Sequence, residues 1–191
     1  MINVFVGLIF IFFNLPLKIT EWFGWDIELG IIDMVIDALP SFVGYGLIAA
    51  GLIAMRGKTK NFTYSQWIAI SCLPIELLRW TCASLGLSLE GFGRGLQIIV
   101  FIATIAMLYL FIKGLGDITA EAKVNIGQNA LRRSWYVMVI VDLVVFFFGT
   151  AMQMDGMLIA PSLLGYLDII LRVVFLLFFW KMTKKYYNYS K

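Results

Sequence analysis

Six long apolar stretches dominate the sequence, at about 2–17, 29–55, 66–87, 95–113, 134–153 and 161–181. Each is near the ~20 residues that a helix needs to cross the hydrocarbon core of a bilayer. Together they take up most of the 191 residues, and no room remains for a separate soluble domain. Composition agrees: 61% of the residues are hydrophobic and 14% charged, where a soluble domain has about half and a quarter. The expected fold is all-α, a single transmembrane domain over 1–191 built as a six-helix bundle in a cell membrane of the bacterial inner-membrane type.

The basic residues orient that bundle. Arg56, Lys58 and Lys60 follow the second stretch, Lys113, Lys123, Arg132 and Arg133 separate the fourth from the fifth, and Lys181, Lys184, Lys185 and Lys191 follow the sixth. All eleven share one side if both termini are cytoplasmic, as the excess of Lys and Arg in cytoplasmic loops requires. The opposite side holds Glu21, Asp26, Glu28, Glu90 and Asp155 against Lys18 and Arg94. A net charge of +3 therefore reflects helix anchors and not a nucleic-acid partner. Asn61-Phe62-Thr63 and Asn188-Tyr189-Ser190 match glycosylation sequons, but both fall on the cytoplasmic side.

Missing residues exclude several chemistries. The chain has no histidine, which removes zinc-protease motifs and histidine general bases. Cys72 and Cys82 would stand about 15 Å apart along a helix, too far for a disulfide. Neither a phosphate-cradling P-loop nor a serine nucleophile elbow occurs. No cofactor is expected, and the balance is against an enzyme. The start, Met1-Ile2-Asn3-Val4, lacks a basic region and a small-residue cleavage site, so the first stretch reads as retained.

Three regions depart from plain spanning helices. Residues 18–28 mix acids with Trp22, Phe23 and Trp25, as an outer interfacial segment would. Over 117–131, Ile118, Ala122 and Ile126 recur every four residues, a narrow apolar stripe expected on a cytoplasmic amphipathic helix capped by Asp117 or Thr119. That helix would lie on the membrane surface or dock a protein partner. Pro40, with Gly44 and Gly46, is expected to kink the second span.

Within the spans, polar and small residues fall at helical spacing. The clearest stripe is Ser65, Ala69, Cys72, Glu76, Arg79, Ala83 and Gly86; others are Asn3, Gly7, Phe10 and Asn14, and Arg94, Gln97, Phe101 and Thr104. Steps of three and four keep each set on one helix face, and lipid cannot solvate such faces, so they turn inward. Glu76 and Arg79 can pair at i, i+3, and Asp168 and Arg172 at i, i+4. Asp33, Asp37 and Asp142 then lack a partner on their own helices. Asp142 is read as neutralising Arg79 or Arg172 across helices. Asp33 and Asp37, with Glu21, Asp26, Glu28, Trp22 and Trp25, form either an acidic, aromatic vestibule suited to an organic cation or an interfacial anchor. In-membrane ion pairs also hold bundles together, at about 0.6–2 kcal/mol each, so glue and site compete for both Glu76–Arg79 and Asp168–Arg172.

The stretch Ile36-Asp37-Ala38-Leu39-Pro40-Ser41-Phe42-Val43-Gly44-Tyr45 resembles a D-x-L-P-D-F-x-G-Y segment of small multi-pass bacterial membrane proteins with no assigned function. Ser41 stands where that pattern has its second Asp, and the resemblance implies no activity. In size, span number and termini the chain is also similar to the substrate-binding subunits of energy-coupling-factor vitamin transporters, a similarity of architecture alone. The A-x-x-x-A spacing those subunits use is met by Ala50 and Ala54, on the second span and not on the first or third.

The leading expectation is a protein that binds or transports a small cationic or zwitterionic solute, with Asp33, Asp37, Glu76, Arg79, Asp168, Arg172 and Trp25 as ligand-binding residues. The alternative is a non-catalytic accessory subunit of a membrane complex. An intramembrane enzyme would have to depend on Asp33 and Asp37 as an aspartyl pair, and four-residue spacing on one helix does not bring two carboxyls together.

Overall fold

Two prolines stop the first two apolar stretches from running as single helices. A computed structural model of the chain describes residues 1–13, 16–18, 35–37, 40–87, 90–123, 126–154 and 159–189. Helix α1, Ile2–Phe12, ends well short of residue 17. Proline lacks a backbone donor, and the residue before it is disfavoured in helical geometry. Pro16 accordingly opens a three-residue strand, β1, Pro16–Lys18. It pairs antiparallel with β2, Val35–Asp37, with Pro16 opposite Asp37.

Helix α2, Ser41–Ile53, starts immediately after Pro40, whose φ of −65° and ψ of 128° are extended. The expected kinked span over 29–55 is therefore replaced by a strand followed by a 13-residue helix. Pro40 precedes the helix instead of bending it.

Helix α3, Lys60–Ser84, begins earlier than residue 66. Thr59 caps it, its hydroxyl accepting from the Phe62 N–H at 3.4 Å, and the helix runs on through Pro74. Helix α4 spans Glu90–Ala122, α5 spans Gln128–Met154 and α6 spans Ile159–Tyr189. The separate amphipathic helix over 117–131 is not formed. Residues 117–122 prolong α4, and Thr119, placed as a cap, lies inside it and donates to the Gly116 carbonyl at 2.9 Å. Lys123 and Gly127 then take positive φ values of 52° and 92°, a left-handed geometry that ends a helix. The four-residue spacing of Ile118, Ala122 and Ile126 thus joins a helix end to the turn after it.

Six helices and one small strand pair make up the described residues. Among them one helical stretch, Gly95–Glu121, is long and apolar enough to cross a membrane; at 1.5 Å per residue its 27 residues extend about 40 Å against a core of about 30 Å. Helices α1 and α2 are apolar but have 11 and 13 residues.

The chain divides into two compact units, Met1–Gly114 and Leu115–Lys191. In the first, α1 packs on α2 and α2 on α3, burying Val4 and Leu8 of α1, Tyr45, Ile48 and Leu52 of α2, and Phe62, Ala69 and Cys72 of α3. Glycines let α1 and α2 approach closely: a Cβ on Gly51 would stand 2.6 Å from Val4 Cγ2. In the second unit α5 packs on α6, and Leu131, Met138, Phe175, Phe179 and Met182 are buried.

Candidate functional site

The polar face of α3 follows from its sequence period. Ser65, Ala69, Cys72 and Glu76 step by four, three and four, and all are buried. Arg79 is half-buried, while Ala83 and Gly86, at the end of the same stripe, are exposed. Ser65 donates to the Met107 carbonyl at 2.9 Å, tying α3 to α4. The Arg79 guanidinium donates from Nη1 to Glu76 Oε1 at 2.5 Å, the Glu76 side chain being 10% exposed and that of Arg79 31%.

Beside this pair the Tyr45 hydroxyl of α2 meets Thr104 Oγ1 of α4 at 2.5 Å. Thr104 gives its own hydroxyl proton to the Val100 carbonyl at 2.7 Å. A hydroxyl has one proton to donate, so Tyr45 is the donor to Thr104. Cys72, Glu76 and Arg79 all lie within electrostatic range of the Tyr45 hydroxyl. Gln66 on α3 is also buried, and its Oε1 has no hydrogen-bond partner among the described residues. The cluster thus offers an anion, a cation and a phenol within the first unit, while Gln66 lies ten residues, about 15 Å, along α3 from Glu76.

The second unit holds a different cluster. Arg172 of α6 donates from Nη2 to Asp142 Oδ1 of α5 at 2.9 Å, and its Nε lies 2.9 Å from Asp168 Oδ2 one turn earlier on α6. The side chains are 25% exposed for Arg172, 11% for Asp142 and 15% for Asp168. One guanidinium therefore serves two carboxylates, because helical spacing supplies one partner and helix packing the other.

Of the ligand-binding residues expected from the sequence, Glu76 and Arg79 form one pair and Asp168 and Arg172 another, in separate units. Asp33 and Trp25 lie outside the described residues, as does the rest of the acidic segment 18–28 beyond Lys18. For Asp37 only the backbone is described, in β2. Sequence reasoning left Asp142 undecided between Arg79 and Arg172, and packing gives it to Arg172. Tyr45 and Gln66 were not singled out. The signal for Tyr45 was the seven-residue step from Tyr45 to Leu52, which follows one buried face of α2. Among the described residues no group of three or more His, Cys, Asp and Glu could hold a metal ion.

Helices and buried ion pairs define a helical protein with one stretch suited to crossing a bilayer. No protein-family model, curated protein or solved structure matches the chain.

Proposed function

We propose that the chain is an integral, multi-pass protein of the cell membrane, with both termini cytoplasmic, that binds a small charged solute at the Glu76–Arg79 pair. The observation that carries the reading is a buried anion and its cation on the inner face of a helix whose outer face is apolar. Trp67, Ile70, Leu77 and Leu78 of α3 are all exposed, more apolar surface than water favours on a soluble monomer. The hydroxyls on that face close on their own helix: Ser71 donates to the Trp67 carbonyl at 3.0 Å and Thr81 to the Leu77 carbonyl at 2.8 Å. Hydroxyls satisfied in this way need no water.

A zwitterion suits the inner face, with its ammonium directed to Glu76 and its carboxylate to Arg79, and with Tyr45 supplying an orienting hydrogen bond. Asp33 and Asp37, together with Trp25, attract the cationic end before it reaches that pair. An importer built this way takes its energy from a separate cytoplasmic partner or from an ion gradient, since the chain has no nucleotide-binding loop.

Native mass spectrometry of the protein extracted gently from its own membranes tests the reading. A reproducible small-molecule adduct is expected on the wild-type chain and is lost in the Glu76→Gln, Arg79→Gln double variant. Neutralising Asp33 and Asp37 to Asn weakens it. A bare wild-type chain, or an adduct indifferent to both double variants, overturns the assignment. Extraction of the protein from membranes by alkaline carbonate would remove its premise.

A further inference from the structure

We propose that Asp142 and Asp168 share one proton beside Arg172, so that this cluster on α5 and α6 is a proton-binding site. The proposal rests on the membrane placement of α5 and α6 in the reading above, not on the solute. Its basis is a count of charge and a count of donors.

Two carboxylates face one guanidinium, all at least three-quarters buried, and leave one negative charge uncompensated. On α5 the next charged residues are Arg132 and Arg133, and on α6 the next is Lys181. Each is nine or ten residues from the cluster, about 13–15 Å along its helix. Asp168 and Arg172 are the charged groups that bear on Asp142 among the described residues. A buried carboxylate in that position takes up a proton or holds a cation.

Donor geometry decides between these. Asp168 directs Oδ2 to Arg172, while its Oδ1 is buried and accepts no hydrogen bond among the described residues. The Asp142 and Asp168 carboxyls are gathered on one guanidinium, Asp142 at Nη2 and Asp168 at Nε, each at 2.9 Å. Two ionised carboxyls both accept and neither donates; a single proton supplies a donor and gives the cluster zero net charge. A hard divalent cation would need about six oxygen ligands, and two carboxylates already engaged by Arg172 do not supply them. Loaded, the site is neutral; emptied, it carries one negative charge in a setting that disfavours it. A solute-binding helix protein needs that property to couple to a proton gradient.

Infrared spectroscopy of the full chain in lipid vesicles, with aspartate carboxyls labelled by carbon-13, tests this. At neutral pH a protonated-carboxyl stretch carrying the isotope shift is expected, disappearing on alkaline titration with release of one proton per chain. Asp142→Asn and Asp168→Asn each abolish it, and Arg172→Gln doubles it, because both carboxyls then protonate. Should the Asn variants not fold, Asp142→Glu keeps the carboxyl but alters its position and isotope content, and the band must change. Absence of the band from wild type, or a band unchanged in all of these variants, overturns the proposal. So does stabilisation by sodium or another cation with no protonated carboxyl present. Loss of the band with the mass-spectrometric adduct retained would remove this site alone, and a band without an adduct would leave it standing while removing the solute.

Discussion

Gly7 of α1 and Gly44 of α2 bring two helix backbones into direct contact. A Cβ on Gly7 would stand 2.5 Å from the Gly44 carbonyl oxygen, and a Cβ on Gly44 would stand 2.7 Å from the carbonyl oxygen of Gly7. The relationship is reciprocal and involves backbone on both sides, so no side-chain rotation can relieve it. Close approach through small residues is how helices associate where apolar burial gives no net drive.

Gly7→Ala and Gly44→Ala should each destabilise the chain by about 1–3 kcal/mol, the range for forcing an added methyl into a packed interface. Gly95→Ala is the control. A Cβ there meets nothing within 4 Å, and alanine is better than glycine in a helix by about 0.5–1 kcal/mol. Thermal unfolding followed by circular dichroism should rank the two interface variants below wild type and Gly95→Ala level with it or above.

Removing Arg172 should cost more than removing either of its partners. Arg172→Gln strands two carboxyls, and breaking a buried ion pair from one side costs about 3–5 kcal/mol. Asp142→Asn leaves Arg172 its Asp168 contact, so the loss expected is that of one hydrogen bond, about 1 kcal/mol. Melting temperatures in one detergent give the comparison. Equal losses would mean that Asp142 is not held by Arg172.

The Tyr45–Thr104 contact joins α2 to α4 and should behave as a pair. Tyr45→Phe and Thr104→Val each remove it, at about 1 kcal/mol. The double variant should lose less than the sum, because the second substitution finds the bond already gone. Additive losses in a double-mutant cycle would show that the two hydroxyls act independently.

Thiol chemistry checks the orientation of α3. Cys72 is 2% exposed and Cys82 is partly exposed, and both are free. A small apolar maleimide should therefore modify Cys82 well before Cys72, with equal rates only after unfolding. Mass mapping of the two peptides over time would show a reversed order if the helix were rotated.

Features set by spacing along one helix were legible in the sequence. Ser65, Cys72 and Glu76 share the buried face of α3 because a helix repeats every 3.6 residues, and Glu76–Arg79 and Asp168–Arg172 follow from the same rule. Asp142 could not be assigned in this way. Its partner lies 30 residues away on another helix, and two arginines were equally open to it before packing chose one. Pro40 fits a kink and a helix start equally well from composition, and β2 before it decides for the start. The stripe over 117–131 misled because a step of four residues is also met by a helix that stops between its members. Lys123 carries no side-chain feature that announces a left-handed φ.

The hydroxyls of Ser71 and Thr81 use their protons on carbonyls of their own helix, and so they ask nothing of whatever lies outside it. Positions of this kind should be open to drift. Serine, threonine, alanine and valine would be nearly interchangeable there, while Ser65, whose proton reaches across to α4, would not be. A library of single substitutions along α3, scored for surviving protein, should therefore show tolerance alternating around the helix. The outline of that alternation would trace which side of α3 meets the rest of the protein and which side does not.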